Sequence, residues 1–373
     1  MNQVLNNLTT KLQRLAQPDL NNTRHRLFTL SNAEDLAELN NLLESQTGLE
    51  HHNEILSQCQ ELVKIDNPTR KFTDLELVEE GRSFLEQQGG DSYGNYVYYP
   101  WSKRLIRILP KKDFIRLRTS RNKLKITEEE QAKLASKKIG VIGLSVGQSV
   151  AVTMATERIF GTLRIADFDT LELSNLNRIR KGLDYLGAAK TTMVIREIAE
   201  IDPYLKVEVF EEGITPQNID AFLGEGQGQL DLLIEECDSF PIKIMARMKA
   251  KQKRLAVLMD TSDRGMIDIE RFDLEPERSI FHDLVPGLEH MDLMQLTEQE
   301  RLNIMMGIVD YPNVSERMKT SYASIGKTLT TWPQLASSVV LGGAAICDIA
   351  RKVLLGEQVS SGRFYVDLDQ IIK

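Results

Sequence analysis

From Lys137 to Asp260 the sequence alternates short apolar runs with amphipathic stretches, and few folds accommodate that alternation. The runs KKIGVIGL, TLRIADFD, KVEVFEE, LDLLIEE and LAVLMD read as strands. The segments SVAVTMATERI, 188–201, QNIDAFL and 242–253 between them read as helices. Strands this apolar need cover on both faces, which a parallel sheet flanked by helices provides. Right-handed crossovers then bring the carboxyl ends of the strands to one edge, where chemistry is expected. The expected class is α/β: a Rossmann-like, mostly parallel sheet with helices on both faces, plus a smaller, mainly helical N-terminal domain.

The first 90 residues read as helical. Leu5, Leu8, Leu12 and Leu15 recur at helical spacing, and Ser31 followed by Glu34 suits a capping box before Leu36, Leu39, Leu42 and Leu43. The segment Gln87–Gly94 is turn-like in composition, and NYVYYPW and Leu105–Leu109 follow as two candidate strands. Thr127 and Glu130 cap a short helix ahead of the first strand of the alternating region.

Composition excludes several classes. Apolar residues at 42% and charged residues at 27% describe a folded globular chain. A net charge of −8 gives no electrostatic reason for nucleic-acid binding, and the basic run Lys103–Lys125 reads as a solvated surface. Cys59, Cys237 and Cys347 are far apart, with no C-x-x-C pair, so neither a disulfide framework nor a cysteine zinc site is expected. A reducing cytoplasm suits that usage, and the N-terminus lacks the pattern of a secretory signal. The apolar run Leu335–Cys347, bounded by Gln334 and Asp348, is too short for a membrane span and reads as a buried helix.

Between the first strand and its helix lies Gly140-Val-Ile-Gly143-Leu-Ser145-Val-Gly147. Such a turn points backbone N–H groups and a helix's positive end at phosphate. Asp167, at the end of the next strand, stands where a carboxylate accepts ribose hydroxyls. The full G-x-G-x-x-G spacing is absent, and these two features leave both ATP and NAD(P) open.

The segment from Asp167 and Asp169 through Asn175, Asn177 and Arg178, with Lys190 twelve residues later, resembles the signature of the ThiF/MoeB, ubiquitin-activating-like adenylating superfamily. The resemblance implies ATP with Mg2+: phosphates over Gly143, Ser145 and Gly147, and ribose on Asp167. Asp169, Asn175 and Asn177 would line the nucleotide, and Arg178 and Lys190 would stabilise charge as the α–β phosphate bond breaks. Leu230–Ser239 resembles the superfamily's metal-holding strand end, which assigns Mg2+ to Asp238, with Glu235 or Glu236 expected to assist. Thr119–Asn122 stands where the superfamily carries an arginine supplied in trans, so Arg121 is assigned that role and a homodimer is implied. Asp263–Met266, Thr331–Leu335 and Gly362–Asp369 continue the likeness, which divides the chain into an N-terminal extension, 1–110, and a ThiF-like adenylating domain, 111–373. More narrowly, the chain resembles a bacterial branch with a G-L-S-V-G turn, whose longer members carry a fused nitroreductase-like domain that is not expected within these residues.

Two departures narrow the expected activity. The zinc-binding C-x-x-C pairs are missing, as is a cysteine between Leu258 and Trp332 for a thioester or persulfide. The implied enzyme is an ATP-dependent adenylyltransferase acting on a carboxylate of a peptide, a small protein C-terminus or a small acid. Its acyl-adenylate would pass directly to an amine, a carbanion or water, and the N-terminal extension would bind substrate or partner or cover the dimer. The alternatives are a non-catalytic activating-enzyme-like scaffold and an NAD(P)-dependent oxidoreductase. Retention of Arg178, Lys190 and Asp238 argues against both. His282 and His290 read as loop histidines, and Met291, Met294, Met305 and Met306 as lining a helix interface.

Overall fold

The computed structural model describes residues 11–12, 19–291 and 295–372; the helical reading at Leu5, Leu8 and Leu15, and Met294, lie outside the described residues. The chain divides into two units, 1–110 and 111–373. In the first, β1 (Arg26–Thr29), β2 (Glu50–Asn53), β3 (Asn95–Tyr99) and β4 (Arg104–Ile108) form a sheet in the order β1-β3-β4-β2. Around it stand α1 (Ala33–Ser45), α2 (Ile55–Asp66) and α3 (Asp74–Gln87). Phe28, Leu39, Leu42, Tyr98 and Leu105 form its core. The two strands expected near residues 95–109 are present, and β1 and β2 add a sheet to the helices read before them. The helix-start cap falls on Asn32, whose side chain accepts from the backbone N–H of Glu34 and Asp35, one residue after the expected Ser31.

The second unit carries β5 (Lys138–Ile142), β6 (Thr162–Ala166), β7 (Lys206–Phe210), β8 (Leu232–Glu235) and β9 (Ala256–Thr261), all parallel. Two antiparallel strands, β10 (Met266–Arg271) and β11 (Gly362–Tyr365), extend one side, giving the order β11-β10-β9-β8-β5-β6-β7. The chain moves from β5 to β6 in one direction and later places β8 on the other side of β5. A crevice therefore opens at the carboxyl ends of β5 and β8, the usual ligand site of such sheets.

Helices cover both faces. On one lie α6 (Gly147–Glu157), α7 (Lys190–Ile201) and α12 (Ala336–Leu355), packed on Ile139, Val141, Leu163, Ile165 and Leu258. On the other, α8 (Ile219–Leu223), α9 (Phe240–Gln252), residues 280–291 and α10 (Glu298–Ile308) cover Leu233 and Val257, and α11 (Glu316–Ser324) follows in the chain. The expected buried helix at 335–347 is the first half of α12. Its Gly342 and Gly343 bring its backbone against Asp260 and Ser149: an added Cβ would stand 2.1 Å from Asp260 Oδ2 and 2.5 Å from Ser149 Oγ. No helix among the described residues is long and apolar enough to cross a membrane. Before the sheet, α4 (Lys111–Arg118) and the box-capped α5 (Glu128–Leu134) hold the basic run in place. Arg118 there donates to the carbonyls of Ala155 and Ile201, at the ends of α6 and α7.

Gly143 fixes the crevice. Its φ of +86° favours glycine, and a Cβ would lie 2.8 Å from the backbone of Glu236 and Cys237. Gly143→Ala is therefore expected to destabilise the fold by about 1–3 kcal/mol. Urea unfolding checks this as a lowered midpoint with an unchanged slope.

Candidate adenylating site

The turn after β5 is tied to the end of β6 by Asp167. One carboxylate oxygen accepts from Leu144 N at 2.6 Å and the other from Asp169 N at 2.8 Å. Burial raises the Asp167 carboxyl above its ordinary range, and the Lys190 ammonium opposes that rise. Lys190 opens α7 with its side chain 4% exposed. Its Nζ donates to Ser145 Oγ at 2.8 Å and to Asp169 Oδ2 at 2.7 Å, so one cation joins the glycine turn to the acidic strand end. Gly147 begins α6, whose free N–H groups face the same crevice.

The segment between β6 and α7 forms a single-turn helix, Leu173–Asn177. The Asn175 side-chain oxygen Oδ1 accepts from Glu172 N at 3.1 Å and is spent on that turn's cap. Asn177 donates to the Gln334 carbonyl at 2.7 Å and accepts from Arg178 Nη1 at 3.1 Å. Arg178 keeps its Nε unpartnered and buried. Burial lowers its guanidinium, and the negative Asp238 works against that shift. Asp238 is open to solvent on one side with dense protein behind it, and burial raises its carboxyl while Lys243, Arg178 and Lys190 pull it down. Arg178, Lys190 and Asp238 thus share one electrostatic neighbourhood. Arg121 is exposed on the turn Ser120–Asn122, which is tethered where Asn122 donates to the Glu157 carbonyl.

Behind Asp238 runs a buried charge network that the sequence reading lacked. Glu235 accepts from Lys243 Nζ at 2.9 and 3.1 Å and from Arg247, whose Nε lies 2.8 Å from Glu270. Asp268 meets Arg363 Nε at 2.6 Å and His282 Nε2 at 3.2 Å. Arg278 Nε donates to His282 Nδ1 at 3.1 Å, which leaves the ring proton on Nε2, facing Asp268. Asp268, Glu270 and His282 offer ligand atoms within 4.8 Å of one another. Two guanidinium groups already lie against the two carboxylates there, so the cluster is an ion network and not a metal centre. Glu235 is consumed by the same network and is not free to assist Asp238. Lys243 and Arg247 lie four apart on α9, a spacing that aims both at one acidic strand end.

Beside Asp238 opens a pocket of about 860 Å³, solvent included. Its walls are mainly apolar, with Met266, Ile308, Val314, Met318, Tyr322 and Trp332. Tyr322 and Trp332 meet edge to face, ring centres 6.0 Å apart. Glu236 and Asp260 also line it. Glu236 accepts from Asp260 N at 3.0 Å. Burial, then the neighbouring Asp260, pushes the Glu236 carboxyl up, and burial takes Asp260 up to about 7. Asp260 ends an apolar parallel strand as Asp167 does, a signal present in the sequence and not used. Burial and Glu235 push the Cys237 thiol up, away from the thiolate form.

A model of the ThiF family matches residues 119–369. The chain belongs to the ThiF family. An uncharacterised protein of Mycobacterium tuberculosis (strain CDC 1551 / Oshkosh) is 42% identical over 307 residues, 81% of this chain and 42% of that relative. The ubiquitin-like modifier-activating enzyme 5 of Arabidopsis thaliana is 28% identical over 128 residues, 31% of this chain and 30% of that protein. The chain thus spans less than half the length of both curated relatives. Among solved structures, PaaA matches with a TM-score of 0.51 at 20% identity, covering 85% of this chain and 94% of that one. That likeness is one of fold.

The raised Asp260 carboxyl has a consequence for stability. Its folded pKa of about 7 exceeds its ordinary 3.8, so the folded chain binds the extra proton between those values. The associated stability is full below about 4 and is lost as pH rises to about 7. Chemical unfolding at pH 5 and pH 8 is expected to show a less stable wild-type protein at pH 8, with a smaller difference in Asp260→Asn.

Proposed function

We propose that the second unit activates a substrate carboxylate with ATP, forming an acyl-adenylate and releasing pyrophosphate. The reading rests on one observation: Lys190 Nζ bridges Ser145 Oγ in the glycine turn, at 2.8 Å, and Asp169 Oδ2 after β6, at 2.7 Å, at the carboxyl rim of the parallel sheet. By its name the Arabidopsis relative activates a ubiquitin-like modifier, and activation is extended here to this chain.

ATP phosphates lie over Gly143, Ser145 and Gly147, on the backbone N–H groups that open α6. The ribose hydroxyls donate to Asp167, whose oxygens each keep a lone pair beyond the backbone bonds already made. Lys190 exchanges its contact with Asp169 for a phosphate oxygen. Asp169 and Asn177 border the nucleotide, and Asn175 acts by holding the turn that presents Arg178. Asp238 has no hydrogen bond or ion pair among the described residues and faces the solvent side of the crevice, so it fits Mg2+, which when bound supplies charge neutralisation at the phosphates. An oxygen of the substrate carboxylate attacks the α-phosphorus, and the bond to the β-phosphate oxygen breaks. Arg178, with a planar fork of N–H groups, stabilises the charge that develops there. Arg121 from a partner subunit completes each site, which makes the active species a homodimer. The substrate is a carboxylate of a peptide, a small-protein tail or a small acid.

Arg178→Ala and Asp238→Ala are each expected to lower carboxylate-dependent ATP–pyrophosphate exchange by about 100-fold or more, with unchanged circular dichroism. Exchange at wild-type rates in either variant removes that residue from the site. Mixing inactive Arg121→Ala with inactive Asp238→Ala is expected to restore exchange, because each mixed dimer assembles one complete site; a mixture as inactive as its components contradicts supply in trans.

A further inference from the structure

The pocket beside Asp238 is built unlike a simple apolar cleft. Asp260 is 5% exposed, lines the pocket, and among the described residues neither of its carboxylate oxygens has a hydrogen-bond partner. Ser262, also in the lining, carries a buried hydroxyl without a partner. Buried polar atoms left this way cost free energy on the order of 1–3 kcal/mol each, and a ligand that supplies donors recovers it. Four acidic residues border the space: Glu236, Asp238, Asp260 and Asp263. The lining lysine, Lys243, is already committed to Glu235 at 2.9 Å. Asp263 is committed too, accepting from Ser315 N at 2.8 Å and from Ser315 Oγ at 2.6 Å. Among the described residues Asp260 is therefore the buried acceptor without a donor, Asp238 being open to solvent.

Each class of ligand can be weighed against this lining. An anion meets repulsion. A wholly apolar group fills the walls and leaves the Asp260 oxygens unpaired. A hydrated metal ion is assigned to the exposed Asp238 at the rim, and Tyr322, Trp332, Met318 and Val314 offer it no carboxylate deeper in. An ammonium on an apolar stem satisfies both parts: its N–H donors pair with Asp260, and its stem packs on the aromatic wall. We propose that this pocket binds a primary ammonium group carried on an apolar stem, with Asp260 as its counter-charge and the Tyr322–Trp332 pair as its wall. The inference extends the adenylation reading, from which it takes only the position of the activated carboxylate beside Asp238. Such an ammonium belongs either to the molecule whose carboxylate is activated or to a separate amine. A separate amine suits a site whose one lining thiol, Cys237, is kept protonated.

Calorimetric titration of the full chain, without ATP, with phenethylamine hydrochloride and with its neutral counterpart 2-phenylethanol tests the proposal. Wild-type protein is expected to bind the amine at least about tenfold more tightly than the alcohol, equivalent to about 1.4 kcal/mol. Asp260→Asn is expected to abolish that preference, and Trp332→Ala to weaken both ligands while keeping it. Equal binding of the two compounds by the wild type, or a preference that survives in Asp260→Asn, overturns the proposal. The wild-type comparison needs no variant to fold. Because no nucleotide is present, failure of pyrophosphate exchange leaves this result untouched. In the exchange assay, 6-aminohexanoate acting where hexanoate does not places the ammonium on the activated molecule. Release of AMP accelerated by added hexylamine places it on a separate acceptor.

Discussion

The crevice depends on the contact of the Gly143 turn with the backbone leaving β8. With less than a side chain's width between Gly143 and Glu236–Cys237, the loops after β5 and β8 become neighbours. That proximity places the first turn of α6, the Lys190 ammonium and the Asp238 carboxylate around one crevice. A Cβ at position 143 would separate the two loops. The crevice is thus a property of strand order: only where parallel connections diverge on either side of β5 is the space above the sheet left free of a crossover.

Behind the crevice the sheet is held by ion pairs where apolar packing would be ordinary. Arg247 is wholly buried between Glu235 and Glu270, with its guanidinium carbon 4.2 Å from the centre of the Phe281 ring. The nearby backbone Phe281–Asp283 adopts positive φ at three successive residues, a costly conformation that the contacts of Phe281 and His282 hold in place. Such networks add less net stability than their number suggests, because each charge is first stripped of water. They are directional, however. Glu235 and Lys243 are oriented by this network and stand immediately below Asp238 and the pocket, so the network sets the positions of the groups that line it.

Much of this was legible in the sequence because parallel strands advertise themselves. β5, β8 and β9 are largely apolar runs, β6 is broken by Arg164 and the edge strand β7 by Lys206 and Glu208, and the acidic residues at strand ends mark the functional edge. β10 was not legible. Its sequence, MIDIER, alternates apolar with acidic residues and so reads as a strand with one wet face, yet all six residues are buried. The partners that permit this, Arg247 and Arg363, are supplied by α9 and β11, and no local pattern reports them. The same reason hides His282, which a loop reading treats as bland. In the first unit, β2 has four exposed residues and no apolar periodicity, and its place in the sheet is set by backbone pairing with β4. Asn175 shows what a motif leaves out: its side-chain oxygen caps the turn Leu173–Asn177, a use that no local pattern reports.

The account depends on positive charge and an acidic residue meeting a nucleotide's α-phosphate at this rim. A crystal structure of the chain with α,β-methylene-ATP and Mg2+ tests that most directly. The account predicts the ribose on Asp167, the triphosphate along the Gly143–Gly147 turn, and Arg178 and Lys190 within hydrogen-bond reach of the α-phosphate. A nucleotide bound away from this crevice, or bound in it with both cations still turned to Asn177 and Asp169, contradicts it.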